Sequence, residues 1–369
     1  MSTFQHIFDQ YNWETTQQSI YSKTKADVVV ALQKEKITLE DFKALLSPAA
    51  ENYLEAIAHK SRELTQKRFG NTMQMYIPMY LSNECQNICT YCGFSLHNKI
   101  KRTTLTDTQI LREADEIKKL GYDHILLVTG ESSHVSVDYF LNAFNLLKDK
   151  FSQISIEVQP LEQEEYQQLI DAGLYSVLVY QETYHQADYK LHHTKGKKSN
   201  FYNRLETPDK LGKAGIHKIG VGVLLGLEDW RVDSFFTALH LKYLQKNYWQ
   251  TKYSISFPRL RPAQGVLEPK INVTDKELVQ LICAYRLLDE DVELSISTRE
   301  TEKFRDNIIK LGITSISAGS KTNPGGYATN KESLEQFEIS DERSPEEIAK
   351  MLKKNGYEIV WKDWDKIYS

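Results

Sequence analysis

From Met75 onward, short apolar runs alternate with amphipathic helical segments, and this alternation limits the fold more than any other feature of the chain. Eight runs read as strands, at 75–81, 124–130, 153–159, 175–181, 218–225, 252–258, 292–298 and 313–319. Helical patterns such as "TDTQILREADEIKKLG" and "EQEEYQQLIDAG" separate them. Strand–helix alternation favours a parallel sheet, and eight repeats over roughly 250 residues match a closed (β/α)8 barrel of the TIM type. No Gly- or Ser-rich linker interrupts the series. The expected architecture is α/β, with an N-terminal helical extension at 1–74, the barrel at 75–330 and a C-terminal helical tail at 331–369 packed on it.

The extension reads as helices. Ser47 is placed to cap a segment with Pro48 at its first helical position, and Ala50, Leu54, Ile57, Ser61 and Leu64 recur at helical spacing. The preceding "ITLEDFKALL" predicts a helix capped at Thr38, with Asp41 where a capping box more often has Glu or Gln.

Period-two reading of the strands separates two faces. Leu294 and Ile296 share one face, while Ser295, Ser297 and Arg299 share the other. Parity also groups Ser315 with Ser317, and Ser155 with Glu157 and Gln159. Several strands with one polar face predict a hydrated or ligand-filled lumen; the alternative is that these faces only meet polar loop residues.

Composition excludes several classes. The net charge of −4, from 46 basic and 50 acidic residues, provides no global cationic field for nucleic acid or anionic membranes. No stretch approaches 18 consecutive apolar residues, and the N-terminal sequence lacks a basic region followed by an apolar run, so neither a membrane span nor a secretory signal is expected. Four cysteines, three of them clustered, make a poor disulfide framework, and a reducing cytoplasm fits best.

The clustered cysteines are Cys85, Cys89 and Cys92, in "ECQNICTYCGF" after the first predicted strand. Thiolates suit zinc or iron–sulfur groups. A closed zinc site wants four ligands; His97 is the nearest candidate and would give an unusual spacing. Cys283, in "ELVQLICAYRLL", reads as a small buried helix residue. A cluster held by three cysteines leaves one iron open to a small molecule.

"CQNICTYC" is similar to the CxxxCxxC motif of radical S-adenosylmethionine (SAM) enzymes, with Tyr91 before the third cysteine. Further segments narrow the resemblance, among them "LLVTGE", "IEVQPL", "VYQETYH", "FYNRLETPDKLGKAGIHKIGVGVLLGLEDWR", "YSISFPRLRPAQG", "STRETEKFRDN", "GITSISAGSKTNPGGYA" and "WKDWD". In order across residues 80–365, they closely resemble the 2-iminoacetate synthases, the tyrosine lyases of thiamine thiazole biosynthesis in the biotin synthase-like branch.

The resemblance implies roles residue by residue. Cys85, Cys89 and Cys92 would ligate a [4Fe-4S] cluster whose open iron chelates SAM. Tyr91 would face the adenine, and Thr129-Gly130-Glu131 would bind the methionine amino group. Glu157 sits on the polar face of the third strand as a further cofactor contact. Glu182 is the candidate for the ribose hydroxyls, and Arg204 for the SAM carboxylate. Arg299 would hold the substrate carboxylate, assisted by Ser317, with Arg259 and Arg261 competing for that duty. A general base among His185, His192 and His193 stays open.

The implied reaction begins with a 5′-deoxyadenosyl radical abstracting hydrogen from L-tyrosine, with its amino group as the preferred position. Cleavage of Cα–Cβ then gives 2-iminoacetate and p-cresol, with 5′-deoxyadenosine and methionine formed from SAM. Implied partners are a thiazole synthase and a flavodoxin-type electron donor. The hydrogenase-maturation tyrosine lyase needs a further cysteine-ligated cluster near its C-terminus, and no cysteine follows Cys283 here. Two rival readings stay open at this point, a tryptophan-cleaving relative and a non-enzymatic metal-stabilised scaffold.

Overall fold

A computed structural model describes residues 3–261, 268–329 and 335–361. Part of "RLRPAQG" and most of "WKDWD" lie outside the described residues.

The eight predicted strands are all present, as Thr72–Ser82, His124–Thr129, Gln153–Glu157, Leu174–Leu178, Lys218–Gly222, Lys252–Ser256, Glu293–Ile296 and Ser315–Ser317. They pair in parallel in chain order. The eighth returns to the first through Gln74↔Ser315 and Tyr76↔Ser317, closing a (β/α)8 barrel. A ninth short strand, Glu358–Val360, pairs with the start of the first at Thr72↔Glu358 and so marks the end of the barrel opposite the cysteines.

Side-chain alternation builds the two faces. On the first strand Met73, Met75, Ile77 and Met79 join the packed shell between sheet and helices, whereas Tyr76, Pro78 and Tyr80 line the lumen. Ser295, Ser297 and Arg299 also line it, while Leu294 and Ile296 face outward. The expected polar lumen is present. Its floor is closed by polar contacts: the Ser176 hydroxyl donates to Ser155 Oγ at 2.6 Å, and Lys218 pairs with Glu293.

The N-terminal helices cover one flank. Phe4 stacks on His240 with ring centroids 3.7 Å apart. The Thr38–Asp41 capping box forms around the helix Leu39–Leu46. The helix predicted from Pro48 is in fact a 3-10 turn, Pro48–Tyr53, followed by an α-helix, Leu54–Phe69. Ser47 does not cap it, because its hydroxyl donates back to Ala44 O at 2.7 Å. Ile57, Ser61 and Thr65 form the buried stripe. No helix among the described residues is long and apolar enough to cross a membrane.

Candidate active site

A cavity with about 190 Å³ of room for small-molecule centres, open to solvent at its mouth, occupies the lumen at the C-terminal ends of the strands. Cys85, Cys89, Cys92, Tyr91, Thr129, Gly130, Glu131, Glu157, Glu182, Arg204, Arg299 and Ser317 line this one space. Gln159 does not, because its side-chain amide is turned to Val135 O at 2.7 Å.

The cysteine loop leaves the first strand and is held from two sides. Ile88–Cys89 pairs antiparallel with His193–Lys195, in the loop following the fourth barrel strand. The Tyr91 hydroxyl donates to His193 Nε2 at 2.6 Å, while His193 Nδ1–H donates to Tyr189 O at 2.7 Å. Burial, the leading cause, pushes the His193 pKa well down and keeps this neutral tautomer. His192 Nδ1 meets Thr90 Oγ1 at 2.7 Å, and His185 Nδ1 meets Asp188 Oδ2 at 2.7 Å. None of these three histidines lines the cavity, so the general base considered among them is corrected: two of them brace the cysteine loop.

Do the residues present fit a three-cysteine iron–sulfur group? Among the described residues, the one trio whose ligand atoms close to within 4.8 Å is His185, Asp188 and Glu228; the three thiols do not draw together in that way. His97 is exposed and outside the cavity. Among the described residues, Thr129 Oγ1 is buried with no hydrogen-bond partner, on a residue that lines the cavity. Gly130 lies so close to the cysteine loop that a Cβ there would fall 2.3 Å from Glu84 O. A soft three-thiolate corner beside an unsatisfied polar rim fits an iron–sulfur cluster with a small polar ligand.

A buried charge network lies next to the cysteines. Arg204 donates from Nη1 to Glu131 Oε1 at 2.8 Å and from Nε to Tyr180 O at 2.6 Å. Glu131 also accepts from Asn87 Nδ2 at 2.8 Å. Glu182 has a left-handed backbone, φ 69°, the one non-glycine case among the described residues, and such strain concentrates at functional sites. Burial opposes its charge, yet Lys198 and Arg204 hold its carboxyl below the ordinary range. Lys198 Nζ donates to Glu182 Oε1 at 2.7 Å and sits 5.6 Å from the Tyr91 ring centroid.

Deeper in the lumen, burial and then repulsion from Glu182 push Glu157 up to about 7. The Arg299 guanidinium lies 3.3 Å above the Phe337 ring. Arg259 and Arg261 are corrected as competitors for a substrate carboxylate. Both pair with Glu300, Arg259 from Nε at 3.0 Å and Arg261 from Nη2 at 2.9 Å, and neither lines the cavity.

Sequence reading missed Lys198, Gln336 and Phe337. Lys198 sits in a "KGKK" run indistinguishable from a solvated loop. Gln336 Nε2 reaches Cys92 Sγ at 3.6 Å while its Oε1 accepts from the Tyr80 hydroxyl at 2.7 Å, and nothing local in the tail signals this return.

The barrel and its three-thiol loop define the class, a radical SAM enzyme. The radical SAM superfamily model matches residues 79–239, and the Biotin and Thiamin Synthesis associated domain matches residues 256–358. The chain belongs to the 2-iminoacetate synthase family: it is 53% identical over 367 residues to the 2-iminoacetate synthase of Escherichia coli (strain K12), covering 99% of this chain and 97% of that one. The Salmonella typhimurium 2-iminoacetate synthase matches equally, at 53% identity with the same coverage. Among solved structures, HydG, a maturase of the [FeFe]-hydrogenase, superposes with a TM-score of 0.90 at 30% identity, over 95% of this chain and 80% of that one. Methylornithine synthase shares the fold, with a TM-score of 0.71 at 19% identity over 90% of this chain and 97% of that one.

Proposed function

We propose that this chain is a radical SAM lyase that cleaves the Cα–Cβ bond of L-tyrosine to 2-iminoacetate and p-cresol, with SAM cleaved to 5′-deoxyadenosine and methionine. The iminoacetate supplies the thiazole moiety of thiamine. The observation that carries this reading is a single lumen holding three thiols, an acid–base network and an arginine, in a chain 53% identical to 2-iminoacetate synthases over nearly its full length.

When bound, a [4Fe-4S] cluster with SAM supplies the 5′-deoxyadenosyl radical. Cys85, Cys89 and Cys92 would hold three irons. Glu131 with the Thr129-Gly130 turn would take the SAM amino group, Arg204 its carboxylate, Glu182 its ribose hydroxyls and Tyr91 its adenine. Glu157, which lines the same cavity, would be a further cofactor contact. Arg299 would pair with the tyrosine carboxylate, its plane fixed by Phe337, with Ser317 as a second donor. Tyr80, Phe94, Leu126 and Val128 form an apolar wall that would exclude water from an imine product prone to hydrolysis. A thiazole synthase would receive that product and a flavodoxin-type protein would supply the electron, in the cytoplasm.

The test is product analysis by mass spectrometry, with reduced, reconstituted protein incubated with SAM and each aromatic amino acid. p-Cresol from tyrosine is expected, and Cys89→Ala abolishes both p-cresol and 5′-deoxyadenosine. An indole product from tryptophan in place of p-cresol overturns the substrate, and failure to take up iron or consume SAM overturns the class.

A further inference from the structure

Gln336 lies in the C-terminal segment that returns to the barrel mouth, half-buried, and each of its four polar groups is engaged. Its backbone N–H donates to Thr322 O at 2.9 Å, and its carbonyl accepts from Gly93 N at 3.2 Å. Its side-chain Oε1 accepts from the Tyr80 hydroxyl at 2.7 Å, and its Nε2 donates to Cys92 Sγ at 3.6 Å. Three of these four partners belong to the first barrel strand and the cysteine loop that follows it. Gly93 makes the approach possible, since a Cβ there would fall 2.7 Å from Gln336 O.

The direction of the amide follows from its neighbours. Tyr80 is buried on a barrel strand, with its ring edge-on to Phe94 at 5.9 Å, so its hydroxyl is fixed in place. A flipped amide would set an acceptor oxygen against a thiolate, which is repulsive. The donor side therefore faces the sulfur. A hydrogen bond to a ligating sulfur favours the more negative of two redox states, because part of the added electron's charge resides on the sulfurs.

We propose that Gln336 is a positioning residue that raises the reduction potential of the iron–sulfur group held at Cys92, easing the one-electron reduction on which SAM cleavage depends. This role rests on the radical SAM reading of the site. One electron arrives from the one-electron donor that the reaction already requires, which is oxidised by one equivalent. No bond forms or breaks in that step, and the amide keeps its proton. Tyr80 acts through Gln336, by holding the donor side of the amide towards the sulfur.

The experiment is a redox titration of anaerobically reconstituted holoenzyme with dithionite and mediators, followed by EPR of the reduced cluster. Gln336→Met keeps the length of the side chain but has no donor. Gln336→Glu keeps the acceptor for Tyr80 and puts a carboxylate oxygen where the donor was. In both, the ratio of reduced to oxidised cluster at the unaltered enzyme's midpoint is expected to fall by about tenfold, which is about 59 mV for one electron. Tyr80→Phe shifts the midpoint in the same direction by a smaller amount. The EPR signal reports only loaded chains, so a variant that takes up less iron still yields a midpoint. A merely structural role would lower iron loading and leave the midpoint in place. A midpoint unmoved or raised in Gln336→Met and Gln336→Glu overturns the proposal. A reducible cluster in the unaltered enzyme that consumes no SAM overturns the lyase reading alone, since the midpoints still decide the role of Gln336.

Discussion

Arg204 and Glu131, 73 positions apart, form a buried ion pair of 2.8 Å that ties the helix Phe201–Leu205 to the turn after the second barrel strand. Removing one partner of such a pair leaves a buried charge alone. Arg204→Ala is therefore expected to destabilise the fold by about 3–5 kcal/mol. Arg204→Lys keeps the charge but not the fork that reaches both Glu131 and Tyr180 O, so the protein folds and binds SAM about tenfold more weakly. Thermal denaturation with equilibrium SAM binding separates the two effects, and undiminished SAM affinity in Arg204→Lys would remove the guanidinium from the cofactor site.

Gly130→Ala tests how closely the second strand's turn supports the cysteine loop. Its new methyl group would meet backbone at Glu84 O, which has no rotamer with which to yield. The loop must shift. Iron uptake after anaerobic reconstitution is expected to fall below the roughly four irons per chain of a Cys-ligated cluster, with far-UV circular dichroism unchanged. Full iron loading in the variant would show that the close approach is dispensable.

Glu157 makes stability fall with rising pH. Its folded value of about 7 exceeds the ordinary 4.5, so across that window the folded state keeps a proton that the unfolded chain has released. Glu157→Gln removes this penalty. The variant is expected to match the parent near pH 4.5 and to exceed it above pH 7, by at most about 3 kcal/mol. Melting curves of the ligand-free protein at both pH values check this, and the same difference at both would contradict it.

The pair Arg305–Asp341 is fully buried, and Arg305 also donates to Ser317 O on the eighth strand. Asp341→Ala is expected to destabilise by about 3–5 kcal/mol, whereas Glu346→Ala, which removes the fully exposed pair with Lys350, is expected to leave the unfolding midpoint essentially where it was. Urea denaturation of the two variants decides whether this contact locks the barrel's closing strand.

The sequence carried the barrel unusually far, because each strand and helix announces itself through local periodicity: "VELSIST" shows its polar face in its own alternation. Cys85, Cys89 and Cys92 were legible for the same reason, since their spacing lies within one loop. Arg259 and Arg261 misled because the sequence could show two basic residues near a strand end but not that Glu300 pairs with both. Lys198 and Gln336 were invisible, since each acquires its role from a residue far away, Glu182 for one and Cys92 with Tyr80 for the other.

By itself, then, the sequence determined the strand–helix repeat, the polar lumen and the three-thiol loop, all of which arise from neighbours within a few positions. Only the tertiary structure decided which charged groups face the cavity and which are already paired. That outcome depends on contacts closed by the barrel across tens to hundreds of residues, where desolvation makes partner choice far more consequential than residue type.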